Sequence, residues 1–320
     1  MKILITGASG FIGTNLLENF LSKGYEVRNI DFTEPKIKER RNLWDNVDIR
    51  KYSEFESAVL AFNPDYIVHL AARTDLDGKT LEDYSANVVG VENMMQIVKK
   101  LPGLKKIIVA SSKFVTRNGY QIKNQHDYCP HTKYGESKVE TELRVWGNEP
   151  ECDWCIIRPT SIWGPWFGVP YRNFFDMVMR RMYFHIGHIK CHKTYGYIGN
   201  AVYQIEQLLF NDTLDRDNKV FYIGDEPAYE INEWADEIAK ELGFKVPTMP
   251  VWFVKALAKF GDFVGLFGIH FPMQSFRFGN MTNDGTNDMT NTYKIAPDMP
   301  YTRLEGTKAT IKWIKEYEKK

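Results

Sequence analysis

The chain has 320 residues, of which 43% are hydrophobic and 26% charged, with 41 basic and 41 acidic side chains and so no formal net charge. That length serves one large or two modest domains with a substantial core, and nothing in the even charge suggests bulk attraction to nucleic acid or to an acidic membrane. The four cysteines show no disulfide framework and MKILIT runs straight into a strand and a glycine loop, so a cytoplasmic, reducing compartment is expected.

KILIT (2–6) reads as a short buried strand, followed by a helix from Phe11 to about Lys23 and a second strand, EVRNID (26–31). Apolar runs recur at YIVHL (66–70), KIIVA (106–110) and WCIIR (154–158), with amphipathic helix patterns at 87–100 and 134–146. Strand, helix, strand at this rhythm predicts an α/β fold, a doubly wound parallel sheet covered by helices on both faces. The rhythm breaks at RPTSIWGPWFGVP (158–170), whose prolines and glycines read as a loop leaving the first domain. Beyond it come KVFYI (219–223) as one more sheet strand, a helix over 231–243, an apolar helix over 251–266 and a charged C-terminal helix over 304–320. The expected division is a dinucleotide-binding domain at 1–165, with a return segment at about 195–225, and a smaller domain from 166–194 and 226–320.

The first strand is followed at once by TGASGFIG, with Gly7, Gly10 and Gly13 opening the helix. Glycines there let backbone approach a phosphate without a Cβ in the way, and the free N–H groups of a helix start favour an anion. Asp31, at the end of the next strand, is placed for a ribose hydroxyl. A carboxylate there repels a 2′-phosphate, so the expected cofactor is NAD rather than NADP.

TGASGFIG (6–13), Asp31, VDI (47–49), HLAA (69–72), ASS (110–112), YGESK (134–138), RPTSIWGP (158–165) and TIKW (310–313) stand in the order of one family. The chain resembles the extended short-chain dehydrogenase/reductases, of the NAD-dependent epimerase/dehydratase type that acts on nucleotide sugars. The resemblance implies a Rossmann domain with a small C-terminal substrate-binding domain. It implies Ser112, Tyr134 and Lys138 as the catalytic set, the last two also touching the cofactor. Phe11 and Ile12 in the glycine loop, Asp48 and Ile49 beside the adenine, Leu70, Ala71 and Ala72 beneath the cofactor, and Pro159 complete the implied NAD contacts. Relatives often dimerise through the helices at 90–100 and 134–147, so a homodimer is implied.

The departures fall in the substrate half. Lys113 and Phe114 stand where the 4,6-dehydratases carry an Asp-Glu pair, which argues against dehydration. Val115-Thr116-Arg117 replaces a Val-Tyr-Gly, Ser161 replaces an asparagine for the sugar diphosphate, and Tyr197-Ile198-Gly199-Asn200 replaces His-Val-Asp-Asp. Arg73, Lys113, Ser161, Lys193 and Arg277 are the candidates for the sugar or its phosphates.

The YGESK spacing has a chemical reason. Oxidising a sugar carbon requires a base within hydrogen-bond reach of its hydroxyl. Free tyrosine, with a pKa of about 10, is too weak near neutrality, and a nearby ammonium favours the phenolate. Residues four apart share a helix face, so Lys138 is expected to serve Tyr134 and reach the nicotinamide ribose. Ser112 would share the substrate oxygen.

Four further features are weighed. His185, His188, Cys191 and His192 have metal-ligand density, but without a second cluster they read as a polar loop over the substrate, and no metal is expected. Cys152 and Cys155 read as structural. Trp163 and Trp166 read as loop packing or as base-stacking rings. The apolar 249–272 stretch reads as a core helix of the second domain rather than a membrane-surface helix, with no stable membrane insertion. The favoured function is 4-epimerisation of a nucleotide sugar. Oxidation or reduction at one sugar carbon, a 3β-hydroxysteroid-type dehydrogenase and a non-catalytic NAD sensor are the alternatives.

Overall fold

The computed structural model describes residues 1–212, 214, 217–269 and 271–317. In chain order the first half runs β1 (Lys2–Thr6), α1 (Phe11–Ser22), β2 (Glu26–Asp31), β3 (Trp44–Asn46), α2 (Tyr52–Phe62), β4 (Tyr66–His69), α3 (Ser85–Val98), β5 (Lys106–Ala110), α4 (Lys133–Trp146) and β6 (Asp153–Pro159). The second half runs β7 (Ser161–Trp163), α5 (Arg172–Met179), β8 (His185–Ile186), β9 (His192–Lys193), β10 (Tyr195–Tyr197), α6 (Ile198–Phe210) and β11 (Val220–Ile223). It closes with β12 (Tyr229–Glu230), α7 (Ile231–Glu241), β13 (Thr248–Met249), α8 (Val251–Gly265), α9 (Ser275–Thr282), α10 (Thr290–Ile295) and α11 (Arg303–Tyr317). The expected C-terminal helix is α11; its last three expected residues lie outside the described ones.

Among the described residues the central sheet has seven strands in the order β11-β6-β5-β4-β1-β2-β3, every pair parallel. This is the doubly wound sheet expected from the alternating runs. Its strands are apolar throughout because both faces are covered. Ile3 and Ile5 join the core under α1 and α6, with Leu16, Phe20, Ile205 and Leu208. Leu4, between them, joins the opposite core under α2 and α3, with Phe55, Val59, Val91 and Met94. The period of two along a strand makes this division. The order turns back at β1, with β2 on one side and β4 on the other. That switch point opens a crevice at the carboxyl ends, where ligands gather in such sheets.

The second half builds from short pairings: β7 with β10, β8 with β13 and β9 with β12. Aromatic packing supplies its core. Trp163 is fully buried, its ring 4.8 Å from Trp234 and 5.5 Å from Phe175. Trp166 packs on Trp313 and Tyr317, at 5.6 and 6.0 Å. Both tryptophans are therefore packing residues.

One expectation is overturned. The 251–266 helix exists as α8, but it is not a core helix: only Val254, Ala258 and Gly261 are buried. Trp252, Phe260, Phe263, Leu266 and Phe267 are exposed. A 3.6-residue apolar period shows that a helix has an apolar face, not that protein covers it. His270, within the expected stretch, lies outside the described residues.

Candidate active site

The glycine loop lies at the switch point. Gly7 has φ +77°, and a Cβ on it would fall 2.6 Å from the Ala71 nitrogen. A Cβ on Gly13 would fall 2.3 Å from the Gly7 carbonyl oxygen. The turn is thus pressed against the segment after β4, where Leu70 N–H donates to the Thr6 carbonyl at 3.0 Å and Ala71 N–H to Thr6 Oγ1 at 3.3 Å. Gly10 caps α1 with no side-chain hydrogen bond and no acid in the first turn. Its free N–H groups suit an anion. Phe11 and Ile12 are half-buried against the core.

Asp31 closes the other side. Its carboxylate accepts from Thr33 N–H at 2.9 Å and Ser9 N–H at 3.2 Å, which ties it to the glycine loop. Burial raises its pKa, opposed by those backbone donors. Each oxygen keeps a lone pair for a further donor. A cradle that any Cβ would fill, an uncapped helix start and a carboxylate at the second strand end together fit a dinucleotide. Asp48 is held by Arg50 at 2.6 Å. Ile49 is buried in the α2/α3 core, its tip filling the space beside Gly90. Ala72 follows Ala71, and Pro159 ends β6 facing Ile223.

Ser112, Tyr134 and Lys138 meet at the end of β5. Thr132 caps α4 by accepting from Gly135 N–H at 3.0 Å, which sets Tyr134 in the first turn. Tyr134 is 7% exposed and Lys138 2% exposed, on the same inward face. Ser112 lies beside the Tyr134 hydroxyl, close enough to lower its pKa, and accepts from Phe114 N–H at 3.2 Å. The Lys138 ammonium donates to the Ala110 carbonyl at 2.9 Å.

The electrostatics correct one expectation. Burial pushes the Tyr134 hydroxyl well above its ordinary value, and the opposing influence is the Ser112 side chain, not the lysine. Burial also lowers Lys138 to about 8. In the chain alone, desolvation outweighs the attraction between them.

Lys113 joins this group. Its ammonium donates to Ser161 Oγ at 2.7 Å, and burial, helped by the charge of Lys193, lowers it to about 8. Ser161 also lies close enough to the Tyr171 hydroxyl to lower its pKa against the effect of burial. Burial likewise lowers Lys193. Two desolvated ammonium groups close enough for their charges to interact suit a polyanion. The other two substrate candidates have protein partners of their own. Arg73 is bound to Asp75 at 2.8 Å and to the Asp83 carbonyl at 3.0 Å. Arg277 is exposed on α9, donating to the Pro272 carbonyl at 2.8 Å.

Three site neighbours lie beyond the residues that sequence reasoning singles out. Tyr171 and Tyr195 are half-buried beside one another, and Tyr171 lies close enough to Tyr134 to raise it. His69 accepts from or donates to Thr6 Oγ1 at 2.8 Å, while burial first and Lys138 second lower it to about 3, so it is neutral. Of the three, only His69, inside HLAA, has a sequence signal. The His185 ring is taken up by Asn232 at 2.9 Å and Asp236 at 3.0 Å. Buried Cys191 donates to the Asn283 carbonyl at 3.2 Å. His192 faces Asp284 at 3.7 Å. His185, Cys191 and His192 are thus engaged in structural contacts, and His188 is exposed. Cys155 is buried and Cys152 half-buried, both as free thiols.

Residues 3–202 match the model of the NAD dependent epimerase/dehydratase family. A relative from Escherichia coli O157:H7, N-acetyl-alpha-D-glucosaminyl-diphospho-ditrans,octacis-undecaprenol 4-epimerase, is 27% identical over 100% of this chain and 97% of its own. A 3-beta-hydroxysteroid dehydrogenase from Mycolicibacterium neoaurum is 28% identical over 78% of this chain and 72% of its own. The UDP-glucose 4-epimerase of Thermus thermophilus, solved with NAD, shares the fold with TM-score 0.72, 20% identity and coverage of 98% of this chain and 99% of that one. The family match spans the glycine loop, the Ser-Tyr-Lys group and the whole parallel sheet except β11. This chain therefore belongs to the NAD-dependent epimerase/dehydratase family and is an NAD-using enzyme of the extended short-chain dehydrogenase/reductase type.

Proposed function

We propose that the chain inverts C4 of a sugar carried on a diphosphate. The observation that carries this reading is the burial of Ser112, Tyr134 and Lys138 together at the end of β5, with Lys113 next to Ser112 in the chain and within reach of the charge of Lys193. Reversible hydride transfer at the sugar carbon is the chemistry NAD supplies when bound. Tyr134 takes the proton from the sugar hydroxyl and later returns it. Ser112 holds that hydroxyl and steadies the charge developing on the oxygen. Lys138 orients the ribose, and its charge acts on Tyr134 once the crevice is filled. The glycine loop holds the pyrophosphate and Asp31 the adenosine ribose.

Lys113, Ser161 and Lys193 hold the diphosphate of the substrate. The lobe formed by 166–194 and 226–320 covers the sugar, and the chain pairs as a homodimer through α3 and α4. A nucleotide sugar is one carrier of such a diphosphate. The E. coli relative, similar over the full chain, has a polyprenol carrier in its name, so a lipid-linked sugar is the second reading.

The test incubates purified protein with UDP-glucose, UDP-N-acetylglucosamine and a polyprenyl-diphospho-N-acetylglucosamine, and reads C4 configuration by NMR. Inversion on one of them is expected. Tyr134→Phe is expected to lose about 10²- to 10⁴-fold in turnover while keeping NAD. No C4 inversion on any substrate, or full activity in Tyr134→Phe, would overturn the reading.

A further inference from the structure

The α8–α9 hairpin carries an aromatic surface that no other described part of the chain covers. Trp252 is 72% exposed, Leu266 82% and Phe276 78%, and Phe260, Phe263 and Phe267 are exposed with them. At 100° per residue, Trp252, Phe260 and Phe263 fall within roughly 80° of arc, and Phe267, just past the end of α8, packs on Phe263 at 5.3 Å. The opposite face, Val254, Ala258 and Gly261, packs on a small satellite core with Ile186 and Met273. A Cβ on Gly261 would sit 1.9 Å from the Met273 carbonyl oxygen. The returning chain therefore crosses tightly behind α8 and leaves the aromatic face outward.

The charges around this face are predominantly positive. Lys255 and Lys259 border the aromatic arc on α8 and Arg277 stands exposed on α9. The hairpin's one acid among the described residues, Asp262, accepts from Ser275 N–H at 3.0 Å, and Ser275, by side chain and backbone, lowers its pKa and keeps it charged, so three cations stand against one anion. A second copy docking face to face would bring like charges together. An aromatic face bordered by cations is suited instead to the headgroup boundary of an anionic bilayer, with the lysine stems lying along apolar surface and the ammonium groups at the phosphates. The hairpin is also continuous with the candidate site. After α9 the chain reaches Gly285, whose N–H donates to the His192 carbonyl at 2.8 Å, and which bridges to Lys193.

We propose that this hairpin docks the protein on the surface of an anionic lipid bilayer, without spanning it, so that the site faces a diphosphate held at the headgroup level. No helix among the described residues is long and apolar enough to cross a membrane. The docking surface is read from the chain's own residues and stands apart from the C4 reading.

The full chain is sedimented with phosphatidylglycerol/phosphatidylcholine vesicles and with phosphatidylcholine vesicles, and its solution mass is measured without lipid. The expected result is at least tenfold tighter binding to the anionic vesicles, weakened by salt. Phe263→Ser/Phe267→Ser is expected to lose binding at least tenfold, and Lys255→Glu/Lys259→Glu to lose the anionic preference. Both variants should keep the NAD content, circular dichroism and thermal midpoint of the parent. Absence of parent binding to anionic vesicles, or undiminished binding by the aromatic variant, overturns the proposal. So does a parent oligomer that dissociates in the aromatic variant without vesicle binding, which would make the face a protein interface. C4 inversion in vesicle-free solution is scored separately, so the two proposals fail independently.

Discussion

At the scale of single residues, burial decides the charge state of the site. Lys113 has the simplest consequence. It is protonated below about pH 8 and loses its charge above. Its role as a diphosphate contact then gives pH a sign: binding of a polyanion weakens as pH rises through about 8, so KM rises. A charge-assisted hydrogen bond contributes roughly 1.5–3 kcal/mol, about tenfold or more in affinity. Lys113→Met should therefore raise KM about tenfold at pH 7 and remove the rise of KM between pH 7.5 and 9, with kcat little changed. Steady-state kinetics across that range checks it, and an unaltered KM profile in the variant would place Lys113 outside the diphosphate site. Lys138 has the same depressed value with a different partner, the Ala110 carbonyl. Its unfolded form binds more protons between about 8 and the ordinary lysine range, so its burial cost is relieved as pH rises there.

At the scale of elements, the β1 turn is held by contact, not by glycine freedom alone. Gly7 and Gly24 both have φ +77°, but a Cβ on Gly7 meets Ala71 backbone whereas one on Gly24 meets open space. Gly24→Ala should cost about 1 kcal/mol from left-handed backbone and keep NAD. Gly7→Ala adds overpacking of about 1–3 kcal/mol and pushes the 70–72 segment off the loop, so NAD should be lost. Thermal melts and cofactor content after purification compare the two; equal NAD retention would show that this contact does not shape the crevice. The same contrast explains what is legible in the sequence. The sheet strands that carry long apolar runs, the glycine loop and the Tyr134–Lys138 spacing are local patterns, and each stands where its period places it. β3 and α2 carry patterns too weak to mark them. β8, β9, β12 and β13 are two residues long, below any period, and exist only through partners distant in the chain. α8 is legible as a helix, but which side faces water depends on where Met273 returns. Arg73 sits beside HLAA in sequence, and its guanidinium is taken up by Asp75 and the Tyr84 ring.

At the scale of the whole molecule, one buried ion pair joins the site helix to the sheet. Arg158 on β6 and Glu142 on α4 are 1% and 0% exposed and meet at 2.7 Å. Burial works against the guanidinium, and Glu142 outweighs it, holding Arg158 charged. Arg158 also donates to the Gln125 carbonyl at 2.8 Å and to the Tyr222 hydroxyl on β11 at 3.4 Å. Glu142 accepts from Ser111 Oγ at 2.5 Å, one residue before Ser112. The pair therefore fixes α4, and with it Tyr134 and Lys138, against the ends of β5 and β6. Removing one partner strands a charge in the interior, so Glu142→Gln should cost about 3–5 kcal/mol, and replacing both with apolar residues of similar volume should be far milder. Glu142→Leu/Arg158→Met is accordingly expected to recover most of the stability lost by Glu142→Gln in urea unfolding, while turnover stays low because Ser111 and the 117–129 segment lose their anchor. A double variant as unstable as the single one would show that the pair contributes net stability, and full turnover in the double variant would show that the site helix is positioned without it.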